Sequence, residues 1–489
     1  MTRATLLKNG LIVDGNNCPA WRGDVLLAGD RIVALAAPGQ IAPEVMTGIG
    51  RDLEEIDCTG KVIAPGFIDV HTHDDAAVLD APAMTPKLSQ GVTTVVVGNC
   101  GISLVPLVTT EPVASLALLG RRQFRFPAMR DYARAVDAAT PGVNVAALVG
   151  HSTLRLRHMK RLDQPARDDE LAAMVKDLES AMAAGALGLS SGVFYQEAYA
   201  ADQTELSALA CAAARSGGVY ATHIRDELAG ILPALQEAAL TARQAGLPLV
   251  LSHHKCAGPA NWGRTRETLP LIEQLSREQD IGMDVYPYTA GSTVLREDLV
   301  DGVIDILITG SQPHPELAGR YLADIAKLWG LTQQEACRRL IPGGACYFQM
   351  REDDVERVLA HPLSMIGSDG LPHDERPHPR LWGTFPRVLA CYWREKGLLP
   401  LEQAVHKMTG LSARRFKLER RGLLKPGYMA DVLVFDPDRV KDLATFENPI
   451  QFSAGIERVW VNGVLSYTET ARATGARAGR FVRRGRAEY

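Results

Sequence analysis

The sequence predicts an α/β protein: a (β/α)8 barrel joined to a small β domain that both ends of the chain form together. Short β-branched runs alternate with helical patterns through the middle of the 489-residue chain, as parallel strands with crossover helices do. The two ends instead carry short alternating runs separated by turn residues. No glycine-rich phosphate-binding motif follows the first run, which disfavours an open doubly wound sheet.

The β domain is predicted from the short alternating runs and turn residues at the two ends of the chain. Residues 11–13 alternate before an Asp-Gly turn, and residues 458–461 run into Asn462-Gly463, a strong hairpin signal. We therefore expect a small β-sandwich domain made from residues 1–61 and 415–489.

Eight runs indicate the strands of the barrel, which we expect to span residues 62–414. Helical patterns lie between most of them, for example over residues 168–184 and 204–216. The gap between the seventh and eighth runs is far longer than one crossover needs, so an insertion is expected at about residues 290–360, with helices of its own over residues 315–329 and 332–340. The predicted strands are residues 62–70, 92–97, 143–149, 186–191, 218–222, 247–252, 281–286 and 363–368.

Composition excludes several classes of protein. Hydrophobic residues make up 46% and charged residues 22%, which is typical of globular proteins and excludes disordered and fibrous chains. The net charge of -4 predicts neither a nucleic-acid partner nor an anionic membrane partner, and no apolar run is long enough to span a membrane. The eight cysteines form no CxxC pair and no signal peptide is evident, so we expect a cytoplasmic protein with reduced thiols. Nothing here predicts an oligomeric state.

Metal-binding residue types cluster at the predicted carboxyl ends of the strands, where barrels carry their active sites. Six of the twelve histidines lie there. Each signal has an ordinary alternative, since a lone histidine or a buried cysteine is more often structural, and Asp369-Gly370 alone would be a turn. The joint pattern favours a metal site. The residues concerned are Asp69, His71, His73, Cys100, His151, His223, His253, His254, Lys255 and Asp369.

These residue types suit zinc chemistry. Zinc prefers thiolate and imidazole ligands, and a catalytic site keeps three of them with one position open. Cys100, His223 and His253 would supply that set from the second, fifth and sixth strands. Asp369, after the eighth strand, is the candidate carboxylate for accepting a proton from water and returning it to a leaving nitrogen.

With these motifs, the chain resembles the amidohydrolase superfamily and, more closely, its D-aminoacylase (N-acyl-D-amino-acid deacylase) branch. The resemblance spans nearly the whole chain. It rests on residues 66–73 (GFIDVHTH), 98–101 (GNCG), 150–155 (GHSTLR), 222–227 (THIRDE), 252–255 (SHHK), 286–289 (YPYT), 367–370 (GSDG) and 426–431 (PGYMAD).

The resemblance implies hydrolysis of the amide bond of small-molecule N-acyl-D-amino acids. It also implies one tightly bound zinc ion on Cys100, His223 and His253, with a second, weaker metal position at His71 and His73. Many superfamily relatives bridge two metals with a carboxylated lysine after the fourth strand, whereas residues 188–193 contain no lysine. The bridging role would fall to Cys100, which argues against hydantoinase-like and dihydropyrimidinase-like cyclic amidohydrolases.

Substrate-binding residues follow from the same resemblance. Arg380 matches the arginine that binds the substrate carboxylate, Lys255 and Tyr286 match residues that assist it, and His254 is expected to contact the substrate or the intermediate. Arginine is also the best planar partner for a carboxylate.

Side-chain preference depends on the insertion. Acid-specific relatives place an arginine there, and the corresponding position falls near Asp298 or Leu299, with Arg296 a few residues early. This favours neutral, hydrophobic D-amino acids, because a buried acid would repel an acidic substrate. An N-acyl-D-glutamate or N-acyl-D-aspartate deacylase stays open as an alternative, as does a non-catalytic metal-binding scaffold.

Overall fold

A computed structural model describes residues 4–47, 53–111, 114–120 and 124–485. The predicted β domain includes residues 1–3, 48–52 and 486–489, which lie outside the described residues. Eight parallel strands form the central sheet: β1 (Phe67–Asp69), β2 (Val92–Val97), β3 (Asn144–Gly150), β4 (Gly188–Gly192), β5 (Val219–His223), β6 (Leu249–Leu251), β7 (Ile281–Val285) and β8 (Ser364–Ile366).

The eight strands pair in chain order from β1 to β8, as the barrel prediction requires. A parallel bridge between Thr72 and Gly370, just beyond β1 and β8, joins the first strand to the last. Both faces of the strands are buried, which explains their nearly continuous apolar sequences. Inward-facing residues such as Val96, Leu148 and Met365 fill the interior of the barrel. The predicted (β/α)8 fold is confirmed.

Helices surround the sheet. The helix predicted over residues 168–184 spans Asp168–Ala183, and that predicted over residues 204–216 spans Gln203–Arg215. The remaining helices are Pro43–Thr47, Ala77–Asp80, Thr85–Leu88, Met129–Ala139, His151–His158, Gln196–Tyr199, Ile231–Ala245, Thr265–Ser276, Leu322–Trp329, Gln333–Leu340, Glu352–Ala360, Arg380–Arg387, Leu401–Met408 and Gly410–Arg415, with a π-helix at Val388–Glu395 and 3-10 turns at Ala114–Leu119, Pro259–Asn261, Glu297–Leu299 and Pro315–Leu317.

The two ends of the chain form a second sheet. Strands expected as a β-sandwich are hydrogen-bonded in one continuous nine-stranded sheet, and their apolar side chains, including Trp460, share one core. The strands are Ala4–Ile12, Trp21–Ala28, Arg31–Ala36, Leu53–Asp57, Val62–Pro65, Val432–Phe435, Ile456–Val461, Val464–Thr468 and Arg472–Ala473.

One predicted barrel strand divides between the two sheets. Val62–Pro65 pairs antiparallel with Val432–Phe435 in the terminal sheet, and the barrel strand begins only at Phe67. The chain passes from one sheet to the other at Gly66. A side chain has no room there, because a Cβ would lie 2.2 Å from the side chain of Thr93. The terminal sheet therefore reaches four residues past position 61, where we expected the β domain to end. The division of the chain into domains stays our proposal.

The insertion between β7 and β8 contains more than the helices predicted for it. Helices Leu322–Trp329 and Gln333–Leu340 fall within the predicted segments 315–329 and 332–340. An antiparallel sheet of Gly291–Val294, Gly343–Tyr347 and Ile306–Ser311 accompanies them. These elements bury their own apolar core against one another. No helix within the described ranges has the length and apolar character that a membrane span requires.

Candidate active site

The residues predicted as metal ligands meet at the carboxyl end of the barrel. Cys100 lies three residues beyond β2, His223 is the last residue of β5, and His253 lies two residues beyond β6. One ligand atom from each lies within 4.8 Å of the others, and all three residues are buried. The barrel thus brings together three residues that are far apart in sequence, as the pattern of strand ends predicted.

The chemistry of this donor set suits a transition metal. Nε2 of His253 lies 3.4 Å from Sγ of Cys100. Both ring nitrogens of His223 are buried without a hydrogen-bond partner in the described chain. Leaving a buried polar atom unpaired is unfavourable, and a metal ion bound to the imidazole satisfies it.

A second group of ligand atoms shares Cys100 with the first. His71, His73, Cys100 and Asp369 place one ligand atom each within 4.8 Å of one another. Nε2 of His71 lies 3.1 Å from Sγ of Cys100, and Nε2 of His73 lies 3.2 Å from Oδ1 of Asp369. Because Cys100 belongs to both groups, its thiolate is placed to contact two neighbouring metal positions.

Charge keeps Cys100 and Asp369 ionised. Burial opposes ionisation of the Cys100 thiol, but the positive charges of His71 and His253 hold its pKa well below the ordinary value. Burial likewise opposes the Asp369 carboxylate, and the charge of Arg380 leads the interactions that lower its pKa well below the usual range. A thiolate can ligate a metal, and an ionised carboxylate can accept a proton.

The backbone is left-handed at three of these residues. The φ angles are 55° at Cys100, 36° at His253 and 51° at Asp369. Residues with a Cβ rarely adopt this region, and when they do they tend to occur at functional sites held by their surroundings. The strain supports a special role for each of the three positions.

Two of the predicted carboxylate-binding residues line the cavity above the donors. Lys255 and Tyr286 form part of its wall together with His223, His253 and Asp369. Nζ of Lys255 bonds Oε1 of Glu227 at 2.6 Å, so a substrate carboxylate would share this ammonium with Glu227.

Arg380 lies immediately behind that wall. Its guanidinium is completely buried, pairs with Asp369 at 2.9 Å and stacks over the ring of Tyr286 with Cζ 4.6 Å from the ring centroid. The Nε and Nη1 atoms have no hydrogen-bond partner among the described residues. Unpaired guanidinium donors of this kind suit an anion, but Arg380 does not itself line the cavity.

His254 lies away from the cavity. Its Nε2 bonds Oγ1 of Thr268, on the helix Thr265–Ser276, at 2.9 Å. Burial lowers its pKa to about 4, so the ring is neutral. This geometry gives no support to the predicted contact with substrate. Neighbouring residues at the end of a strand point to opposite sides of a sheet, which accounts for the difference from His253.

Two carboxylates that support the ligands were not predicted. Oε1 of Glu227 lies 3.1 Å from Nδ1 of His253, and Oδ2 of Asp284 lies 3.2 Å from Nδ1 of His71. Such carboxylates fix the orientation of a metal-binding imidazole and raise its basicity. Asp284 could have been noticed as the one charged residue in an otherwise apolar strand, and Glu227 as a buried acid four residues after His223.

Apolar residues form much of the remaining cavity wall. Leu299 is among them, and it is one of the two residues, with Asp298, near which acid-specific relatives are expected to place an arginine. Arg296 instead pairs with Asp298 at 2.5 Å and stacks on Phe194, with Cζ 4.4 Å from the ring centroid. Its charge is therefore neutralised outside this cavity. The apolar lining residues are Leu118, Phe194, Leu228, Leu299 and Leu371.

Comparison with known proteins decides the family. A model of the amidohydrolase family matches residues 54–341 and 336–467. The chain belongs to the amidohydrolase family. It is 50% identical to a D-aminoacylase of Alcaligenes xylosoxydans xylosoxydans over 480 residues, which covers 98% of this chain and 97% of that protein. It is 47% identical to an N-acyl-D-aspartate deacylase of the same organism, over 94% of this chain and 91% of that protein.

Solved structures of amidohydrolases agree with the fold. A crystal structure of a D-aminoacylase superposes with a TM-score of 0.94 at 49% identity, covering 98% of this chain and 99% of that one. An N-acyl-D-glutamate deacylase from Bordetella bronchiseptica, complexed with zinc and a phosphonate mimic of the tetrahedral intermediate, superposes with a TM-score of 0.93 at 44% identity, with the same coverage. The predicted family resemblance is thus confirmed.

Proposed function

We propose that this amidohydrolase hydrolyses N-acyl-D-amino acids to a carboxylate and a free D-amino acid, using a zinc ion held by Cys100, His223 and His253. One observation carries the proposal: a single cavity is lined by His223 and His253, by the ionised carboxylate of Asp369 and by the ammonium of Lys255, and Cys100 lies within ligand distance of both imidazoles. The D-aminoacylase and the D-aspartate and D-glutamate deacylases that the chain resembles support the reaction and its stereochemistry.

The residues present fit zinc. A thiolate and two imidazoles are the ligands it prefers, and neither ring nitrogen of His223 makes a hydrogen bond among the described residues, with Oε2 of Glu227 3.5 Å from Nε2. When bound, zinc supplies a Lewis acid that polarises the scissile carbonyl and lowers the pKa of a water ligand. His71 and His73 would hold a second ion more weakly, with Cys100 contributing to both positions.

The chain's own residues orient the substrate. Lys255 and Tyr286 face the cavity, where the ammonium and the phenol hydroxyl can donate to an α-carboxylate. Arg380 adds two unpaired donors behind them. Placing the carboxylate here holds the amide over the metal ligands, and such positioning contributes much of the rate of an enzyme reaction.

Asp369 moves the proton. Its carboxylate lies in the cavity wall beside the metal ligands, ionised and held by Arg380 and His73. We propose that an oxygen of Asp369 accepts the proton of the attacking water and then donates it to the amide nitrogen, so that the amine leaves neutral. One residue thus acts first as general base and then as general acid.

The side chain of the substrate is proposed to be neutral and apolar. Leu299 and Phe194 offer apolar surface, and Arg296, the cation nearest in sequence to the expected acid-binding position, is paired with Asp298. The acid-specific alternative would need Arg296 to leave that pair and enter the cavity.

The test is a screen of N-acetyl-D-leucine, N-acetyl-D-phenylalanine, N-acetyl-D-glutamate and N-acetyl-L-leucine on protein of measured zinc content, with release of free amino acid as the readout. We expect turnover of D-leucine and D-phenylalanine derivatives at a kcat/KM at least ~10-fold above that of the D-glutamate derivative, because an uncompensated charge enters an apolar pocket at a high cost. The L-leucine derivative is expected to react far more slowly.

Each outcome of the screen separates one part of the proposal. A preference for D-glutamate would overturn the side-chain class and leave the reaction intact. Equal rates on both enantiomers of the leucine derivative would overturn the stereochemistry. If none of the four substrates is hydrolysed by zinc-loaded protein, the reaction itself is wrong for this chain.

A further inference from the structure

We propose that the segment of residues 85–90, which follows β1, is a positioning element for the active site. In this segment Lys87 holds the backbone turn that carries Asp369, and Gln90 holds the helix that begins with Arg380. The inference rests on the roles proposed above for Asp369 and Arg380, and assigns new roles to two residues that contact neither metal nor substrate.

Lys87 is tied to the turn by four hydrogen bonds, two that it donates and two that its partners Asp69 and Ser368 accept from the backbone. Its Nζ donates to Oδ2 of Asp69 at 2.8 Å and to Oγ of Ser368 at 3.0 Å. Oδ1 of Asp69 accepts the backbone N–H of Ser368 at 2.8 Å, and Oγ of Ser368 accepts the N–H of Gly370 at 3.2 Å. Both neighbours of Asp369 in sequence are therefore fixed by one buried network.

Asp369 needs this support because its backbone is strained. Its φ of 51° lies in the left-handed region, which an aspartate keeps only when its surroundings hold it there. The bonds to Ser368 and Gly370 bracket that conformation on both sides. The Asp369 N–H also bonds the backbone oxygen of His71 at 2.7 Å, so loss of the network should let Ser368 and Gly370 relax on either side of this bond and shift the carboxylate beside His73.

The network surrounds the buried positive charge of Lys87. Lys87 has 0% of its surface exposed and also lies 3.2 Å from Oδ2 of Asp74, so one ammonium faces two buried carboxylates. Without this ammonium, two buried carboxylates would lack a counter-charge, which is strongly unfavourable. The ion pairs therefore hold Lys87 and the atoms around it in place.

Gln90 acts on the other side of the same segment. Its Nε2 donates to the backbone oxygen of Leu381 at 2.8 Å, and its Oε1 accepts the N–H of Phe385 at 3.2 Å. Both partners belong to the helix Arg380–Arg387. Since Arg380 is the first residue of that helix, Gln90 controls the depth at which the guanidinium lies behind the cavity wall.

The two halves of the segment therefore predict different kinetic defects. Lys87→Met should lower kcat by about 10²-fold with KM changed less than about twofold, because a displaced proton-transfer group affects the chemical step. Gln90→Leu should raise KM by about tenfold with kcat nearly unchanged, because carboxylate binding is what the shifted helix impairs. Zinc content should stay stoichiometric in both variants.

Lys407→Met is the matched control. Lys407 is also a buried lysine, and its Nζ donates to the backbone oxygens of His361 and Ser364, at the amino end of β8. Losing it should leave kcat and KM unchanged. In metal-stripped protein, hydrogen exchange of amides 368–370 should accelerate in Lys87→Met and stay unchanged in Lys407→Met.

Ser368→Ala covers the case in which Lys87→Met does not fold. It removes the Oγ link while leaving the Lys87–Asp69 pair in place, and should lower kcat about tenfold at constant KM. If Lys87→Met and Ser368→Ala both match the control in kcat and in exchange, the positioning inference is wrong. The reaction itself is tested separately by the substrate screen, whereas an active Asp369→Asn enzyme would remove the proton-transfer role that Lys87 is inferred to support.

Discussion

Buried polar groups of the candidate site and those that join the amino end of the barrel to the terminal sheet differ in how far the described chain pairs them. At the carboxyl end, His223 and Arg380 leave buried nitrogens without partners among the described residues, and Asp369 keeps a strained backbone. At the amino end, Asn144 opens β3 and bonds Thr93 and Asp431, while Asn462 donates to Asn144 at 2.7 Å. These four groups join the barrel to the terminal sheet with their hydrogen bonds made.

The difference separates the polar residues that stabilise the fold from those that are available to a ligand. At the amino end, polar networks whose hydrogen bonds are already made hold the two sheets together and need no ligand. At the carboxyl end, the unpaired donors and the left-handed backbone of Asp369 and Cys100 are unfavourable in isolation. Binding of a metal and a substrate would compensate for them. Barrel enzymes commonly separate stability from activity in this way.

The largest effect is expected at Cys100. Cys100→Ser replaces the thiolate that both groups of ligand atoms share with a poor zinc ligand. We expect zinc to be lost on dialysis and turnover of N-acetyl-D-leucine to disappear with it. Zinc analysis of the purified variant and a rate assay measure the two results.

Cys58 provides the control for that prediction. It is also completely buried, but lies in the core of the terminal sheet, where burial raises the pKa of its thiol to about 12. Cys58→Ser should keep stoichiometric zinc and full activity. Unchanged zinc in Cys100→Ser would mean that the thiolate is not a ligand, and the proposed site would be wrong.

Asp369→Asn is expected to have the next largest effect. The amide keeps the shape of the side chain but can neither accept nor return a proton, so kcat should fall by about 10³–10⁴-fold. Zinc content should not change, because Cys100, His223 and His253 remain. A variant that binds zinc normally and turns over at the wild-type rate would show that another group moves the proton.

Much of the site could be predicted because strand ends are local features of the sequence. The β2 strand follows its predicted bounds, residues 92–97, and the residues at or just beyond the ends of β2, β5 and β6 were predicted from their place and chemistry. Parallel strands in a barrel bring these ends together whatever the distance along the chain. The barrel fold therefore makes residues at predicted strand ends neighbours in the structure.

What escaped prediction depends on contacts that have no local signature. Lys87 looks like an ordinary helix residue until the fold buries it against Asp69 and Ser368. Residues 62–70 read as one apolar strand, and only the pairing of Val62–Pro65 with Val432–Phe435 divides them. The small sheet of the insertion was missed for the same reason, since its strands pair across intervening helices.

The smallest effect is expected in stability at the amino end. Burial lowers the pKa of Lys407 to about 7, whereas an unfolded lysine titrates near ~10.4. Between these values the unfolded chain binds more protons than the folded one, so the free energy of unfolding rises with pH by up to about 1.4 kcal/mol per unit. Lys407→Met lacks this dependence. The difference between wild type and variant, measured by urea unfolding, should therefore rise between pH 7 and 9.5 and be flat below pH 7.

Lys87 supplies the opposite case at the carboxyl end of β8, where its Nζ bonds Oγ of Ser368. Burial opposes its charge, but Asp69 and Asp74 raise its pKa above the ordinary value, so folded and unfolded chains are both protonated between pH 7 and 9. The stability difference between wild type and Lys87→Met should be flat over that interval and should fall only at higher pH. A flat difference for Lys407→Met as well would show that the backbone oxygens of His361 and Ser364 keep its ammonium charged. The two ends of β8 would then stabilise a buried lysine equally well, one with carboxylates and the other with peptide dipoles.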